Sequence, residues 1–178
     1  GAEFVSIFGR LPPAFLPVGN RRLYEHQACA IEAFKGRKLL SLPDDFTMGE
    51  ADRETISALG FEVVLVLEGL SLGASVRHVL DAAGAGEGEL RILHGDTLIE
   101  GPPLDGTDMV SEGYTDEYYS WAEWRLGKAG AVEFFEGLPA GTEPRCVLTG
   151  YFSFSDAALL ARSLEEAENG FIAGLSLY

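Results

Sequence analysis

Residues 61–67 read FEVVLVL: Phe61, Glu62, Val63, Val64, Leu65, Val66 and Leu67. Six of the seven are apolar and most are valine or leucine. A run this short and this continuous is the pattern of a strand buried on both faces, as in parallel sheets covered by helices. Its flanks agree. Residues 49–59 upstream have helical character and stop at Gly60, and residues 71–83 downstream place Leu72, Val76 and Leu80 in helical register. One step further out lie two more short apolar runs, 38–42 and 89–93. Strand, helix, strand, helix, strand is the order of parallel strands joined by crossover helices. The expectation is therefore an α/β fold in three layers, with a mainly parallel central sheet built from 38–42, 61–67 and 89–93.

The rest of the chain is read against that centre. Residues 11–20, LPPAFLPVGN, hold three prolines and a glycine and read as loop. Residues 22–35 read as a helix with Leu23, Ala30, Ile31 and Phe34 on one face and Gly36 as its stop. After residue 97 the character changes: 108–111, 118–126, 131–135 and 145–154 look like strands with few helices between them, an antiparallel addition. Ser155-Asp156 can cap a helix running to about Glu168, and a shorter helix covers 171–178. Nothing marks a boundary, so residues 1–178 are expected to form one domain.

Composition narrows the function. The chain has 178 residues, 47% hydrophobic and 23% charged, with a formal net charge of −15. That is a globular composition, and the acidity argues against nucleic acid as a partner, since phosphate backbones demand a basic face. Residues 1–40 nonetheless carry six basic and three acidic side chains, +3 in sum, which leaves −18 for the remainder. An anionic small ligand is most welcome near this N-terminal segment; the plainer reading is a solvated surface. No apolar run approaches the ~20 residues of a membrane helix, and the first residues do not form a signal peptide, so a cytoplasmic protein without a membrane partner is expected. Cys29 and Cys146 stand alone, outside any metal-ligand spacing, and are expected as buried free thiols.

Three stretches could carry chemistry. His94-Gly95-Asp96-Thr97 follows the apolar run 89–93, and ligands of open α/β sheets gather at the carboxyl ends of strands. A carboxylate there can hold Mg²⁺ together with substrate phosphates; it can equally be a turn aspartate satisfied by backbone N–H groups. Gly69-Leu70-Ser71-Leu72-Gly73 matches the G-x-S-x-G of a nucleophile elbow. The acid and histidine that should follow in order have no place here, because His78 and His94 come too soon. Ser71 is then a helix cap. Tyr114, Tyr118, Tyr119, Trp121 and Trp124 form an aromatic group that could stack on a sugar or base, or simply pack.

Four segments, in order, resemble the sugar-phosphate nucleotidyltransferases. LPPAFLPVGNRRLYEHQ resembles their Pro-Lys-x-Leu-x-Pro-Val run and the helix it enters. SLGASVRHVL resembles their Leu-Gly-x-Ala turn, ILHGDTLIEG their metal-binding Gly-Asp-x-Leu strand end, and TGYFSFSDAALLARSL their late Gly-x-Phe-x-Phe strand with its helix. The pattern is similar to the bacterial branch serving surface-polysaccharide assembly. The resemblance implies a nucleotide-diphospho-sugar-transferase-like fold. It implies transfer of a nucleotidyl group from a nucleoside triphosphate to a sugar phosphate, with Mg²⁺ bound alongside substrate. Asp96 would hold that metal, Asn20, Arg21 and Arg22 would face phosphates, and Gly73 would let backbone approach the nucleotide. Three departures stand out. Gly1-Ala2-Glu3-Phe4 lies where the family's first strand and glycine-rich loop should be ending. The lysine of the Pro-Lys run is Pro13, which cannot neutralise phosphate. The family's second metal-binding aspartate belongs to a pattern beyond Tyr178. These imply a chain trimmed at both ends or a diverged, non-catalytic nucleotide-sugar-binding domain. A missing first strand would also bare a sheet edge, so pairing into a homodimer or replacement of that strand is expected.

Overall fold

The computed structural model describes residues 11–137 and 144–178, without the Ala129 side chain. The expectation that the first strand is missing concerns residues 1–10 and lies outside the described residues. The chain divides into two compact units, Gly1–Gly69 with His94–Asp105, and Leu70–Leu93 with Gly106–Tyr178.

In the first unit, residues 11–22 do more than loop. Pro13 opens a 3-10 turn, Pro13–Phe15, at the position where a missing N–H costs nothing. Strands β1 (Pro17–Val18) and β2 (Arg21–Arg22) then form a two-residue antiparallel hairpin. Gly19 supplies the left-handed turn residue at φ 63°. Helix α1 spans Leu23–Ala30 and is shorter than expected: Ile31 leaves helical geometry at φ −109°. Its buried face is Leu23, Tyr24, Gln27 and Ala28, not the stripe through Ile31 and Phe34. Strands β3 (Lys38–Pro43) and β4 (Phe61–Val66) pair in parallel through helix α2 (Glu50–Ala58), as the alternation demands. Phe15, Tyr24, Leu42 and Ile56 make the centre of this unit's core.

The second unit contains helix α3 (Leu72–Ala82), strands β5 (Leu90–Leu93), β6 (Met109–Thr115), β7 (Ala122–Leu126), β8 (Val132–Glu136) and β9 (Arg145–Phe154), and helices α4 (Ala157–Glu166) and α5 (Phe171–Leu177). β9 lies between β5 and β6 and is antiparallel to both, while β7 and β8 form a separate antiparallel pair. Leu148, Phe152, Phe154, Leu160, Leu164, Phe171 and Leu175 form its core.

The class is α/β, but the parallel centre is smaller than expected. Among the described residues only β3 and β4 run parallel. The strand at 89–93 turns to β9 instead, pairing Leu90 with Phe154 and Leu93 with Tyr151. The strand buried on both faces is β9, all ten of whose residues are half-buried or better, with Val147, Leu148 and Gly150–Phe154 fully buried. In β4, by contrast, Val63 and Leu65 are exposed at 38% and 53% while Val66 is buried, so one face is covered and the other is not. The antiparallel expectation for the later strands is met, and so are both side-chain caps. The Ser71 hydroxyl accepts from the Ala74 N–H at 3.2 Å, and the Asp156 carboxylate accepts from the Leu159 N–H at 2.9 Å. Cys146 is half-buried, and burial pushes its thiol pKa up; Cys29 is exposed, contrary to expectation, on the polar side of the short α1.

Candidate functional site

The expected site residues Asn20, Arg21, Arg22 and Asp96 belong to the first unit, and Gly73 to the second. The hairpin turn puts Asn20, Arg21 and Arg22 along one cleft of about 310 Å³, whose far wall comes from Asp52 and Thr55 of α2. Within it the two arginines differ. Arg22 is committed to the protein. Its guanidinium donates to the Phe15 carbonyl at 3.1 Å and lies 3.5 Å from the Asp52 carboxylate, and its backbone N–H is capped by Glu25 at 2.7 Å. Asp52 also accepts from the Tyr24 hydroxyl at 2.9 Å. Burial first, then Asp52, drives the Tyr24 phenol well above its ordinary pKa, so it stays a donor. Arg21 is exposed, and its one side-chain contact among the described residues is a weak one, to Cys29 Sγ at 3.8 Å.

Asp96 sits in a tight turn. The Thr97 N–H donates to the His94 carbonyl at 3.1 Å, closing four residues. The Asp96 side chain is exposed, and among the described residues its Oδ1 accepts only from its neighbour's hydroxyl, Thr97 Oγ1, at 3.3 Å. Among the described residues no backbone N–H donates to it, as one would to a turn aspartate satisfied by such groups. His94 is half-buried; desolvation lowers its pKa, against the opposing pull of the Asp96 charge.

The residue that sequence reading missed is Gln27. It is 6% exposed on the inner face of α1. Its side-chain amide donates both hydrogens to this turn, to the His94 carbonyl at 2.9 Å and to the Thr97 carbonyl at 2.7 Å. The signal was present: a polar residue on the buried face of a short helix must find partners. The partners lie about seventy positions away in sequence, which local reading does not reach.

A metal would meet a small donor set here. The His94 carbonyl already accepts two hydrogen bonds and the Thr97 carbonyl one, which leaves the Asp96 carboxylate as the turn's outward ligand. Among the described residues no group of three or more His, Cys, Asp or Glu gathers to hold an ion. One outward carboxylate fits Mg²⁺ that keeps waters and shares substrate phosphates.

Gly73 has a packing reason to be glycine. A Cβ there would stand 2.4 Å from the Asn169 carbonyl oxygen. Ser71 donates to the same carbonyl at 2.8 Å, so its hydroxyl is held at both ends of a structural bond pair. Of the aromatic group, Tyr114, Tyr118 and Tyr119 are 80%, 78% and 62% exposed. Trp124 donates to Glu112 at 2.8 Å and lines a separate cavity of about 510 Å³ in the second unit, with Met109, Phe134, Phe154 and Leu177.

Among solved structures, the chain is similar to a nucleoside-diphosphate-sugar pyrophosphorylase from Vibrio cholerae RC9. The TM-score is 0.68 and the identity 19%, over 94% of this chain and 74% of that one. At that identity the likeness is one of fold: this chain has a nucleotidyltransferase-like fold. No protein-family model and no curated protein sequence matches it. No helix among the described residues is long and apolar enough to cross a membrane.

Proposed function

We propose that this chain is a nucleotidyltransferase-type domain that binds a nucleoside triphosphate and a sugar phosphate, joins the nucleotidyl group to the sugar phosphate and releases pyrophosphate. The supporting observation is the turn at 94–97, which is anchored to a buried helix face yet sends a single carboxylate outward, within a nucleotidyltransferase-like fold. In this reading Asp96 holds Mg²⁺ jointly with substrate phosphates, and the ion supplies charge neutralisation for an in-line displacement. Arg21 meets phosphate charge directly, since its guanidinium is exposed. Asn20 offers the neighbouring amide, and Arg22 acts through the local field because Asp52 already faces it. Gly73 contributes by letting the Asn169 carbonyl approach α3. The product is a nucleotide-sugar of the kind consumed in surface-polysaccharide assembly, made by a cytoplasmic protein.

A second reading keeps nucleotide-sugar binding without turnover. Pro13 favours it, since the first residue of the 3-10 turn carries a ring where the resemblance expects a lysine. One assay separates the two. The protein is incubated with each common nucleoside triphosphate, a panel of sugar 1-phosphates and Mg²⁺, and pyrophosphate is measured. Release that requires Mg²⁺ and falls at least a hundredfold in Asp96→Asn supports catalysis. Nucleotide-sugar binding without release supports the second reading. Neither binding nor release contradicts both.

A further inference from the structure

The burial of Gln27 has no apolar justification. A leucine or methionine at this point of α1 would fill the same inner face without the cost of desolvating an amide. What the amide gains is the turn: both of its hydrogens go to the carbonyls of the turn's first and last residues, 2.9 Å and 2.7 Å away. A turn already closed by its own Thr97-to-His94 bond needs no second staple to exist. The second staple instead fixes the two end peptide planes against a helix, and with them the direction of the Asp96 Cα–Cβ bond. The carboxylate itself is left almost unheld, its one hydrogen bond among the described residues a 3.3 Å bond from Thr97. Rigidity is thus placed in the backbone, and the oxygens stay available.

We propose that Gln27 is a positioning residue for the Asp96 carboxylate, setting the strength with which the turn takes a divalent cation bridged to phosphate. The proposal rests on the metal-holding reading of Asp96 given above. The cleft-lining Arg22 sits at the N-cap of the same helix, five residues earlier and about 7–8 Å along the axis at the α-helical rise. Gln27 therefore references the metal-binding turn to the element that also carries the basic segment. Outer partners of this type commonly change metal affinity by about 10–100-fold when removed.

The test uses Mn²⁺ and inorganic pyrophosphate, a probe that does not depend on which base or sugar the protein accepts. Binding of the Mn²⁺–pyrophosphate complex is read by water-proton relaxation on the full chain, on Asp96→Asn and on Gln27→Met, which keeps length and apolar fill. The expected result is binding lost in Asp96→Asn and weakened about tenfold in Gln27→Met, with affinity for metal-free pyrophosphate unchanged in the latter. Amide exchange at Thr97 should accelerate in Gln27→Met while exchange at Ile31, bonded to the Gln27 carbonyl, stays slow. Wild-type affinity in a folded Gln27→Met overturns the proposal. If Gln27→Met does not fold, the wild-type chain still decides. Both Gln27 side-chain amide protons should exchange slowly and shift when Mg²⁺–pyrophosphate is added, but not in Asp96→Asn; resonances that do not move overturn the proposal. If the chain and Asp96→Asn bind the probe equally, the metal-holding reading itself has failed. That outcome is recognised by its independence of residue 27.

Discussion

The two units solve different problems with opposite materials. The second is built on β9, a strand covered on both faces, on α4, whose Leu160 and Leu164 are fully enclosed, and on α5. Its polar groups mostly finish structure: Ser71 and Asp156 cap helices, and the Ser153 hydroxyl donates to the Gly106 carbonyl at 2.8 Å. The first unit has a smaller apolar centre and places polar side chains inside it. Gln27 is buried, Tyr24 gives its hydroxyl to Asp52, and Arg22 reaches back to Phe15. Buried polar networks are expensive when incomplete and specify one geometry when complete. The difference assigns stability to the second unit and orientation of charged groups to the first.

The contrast is broken most severely at the second unit's core. Leu164→Ala removes a side chain that is 0% exposed and that packs against Gly174. It should cost about 2–5 kcal/mol in chemical denaturation. A loss under ~1 kcal/mol would show that this core is not where stability resides. Gly73→Ala comes next. The new methyl meets backbone rather than a flexible side chain, 2.4 Å from the Asn169 oxygen. About 1–3 kcal/mol of strain is expected, measured in the same way.

How far these differences could be read from sequence follows from how local each cause is. Ser71 and Asp156 are caps recognisable from the residues beside them, and both do cap. The parallel pairing of β3 and β4 was legible because one helix separates them. The partner of 89–93 was not, because β9 lies more than fifty residues on and its Thr149, Gly150 and Ser153 disguise the most buried strand as a polar one. FEVVLVL erred the other way, apolar on a face that the described residues leave exposed. At the candidate site, the turn that carries Asp96 was legible from its place after a strand-like run. Gln27 showed only as a polar residue on a helix's apolar face, because its partners, His94 and Thr97, lie about seventy positions on and beyond local reading.

Smaller effects sharpen the comparison. Ser71→Ala removes a cap in the second unit and should cost about 0.5–2 kcal/mol. The wild-type protein should leave a fluorophosphonate probe unreacted, and stoichiometric labelling at Ser71 would restore the nucleophile reading. The second unit also carries a pH signature. The Tyr178 hydroxyl, donating at 2.6 Å, and then the Ser155 N–H hold the Asp108 carboxyl below its ordinary value of 3.8. A depressed carboxyl stabilises the folded state fully above that value and less as pH falls through the folded pKa. Acid unfolding below about pH 4 should therefore be shallower in Tyr178→Phe than in the wild type. Parallel acid limbs would remove Asp108 from the account.

The smallest expected effect on stability accompanies the largest on binding. Asp96 is exposed and, among the described residues, bonded only to its neighbour, so Asp96→Asn should shift unfolding by no more than ~0.5 kcal/mol. The direct measurement is calorimetric titration of the wild type and of Asp96→Asn with a nucleotide-sugar, with and without Mg²⁺. Mg²⁺ should tighten binding to the wild type about tenfold or more, Asp96→Asn should lose this gain, and both should bind alike without metal. An equal Mg²⁺ gain in both proteins, or an Asp96→Asn chain that unfolds, would take the metal away from Asp96.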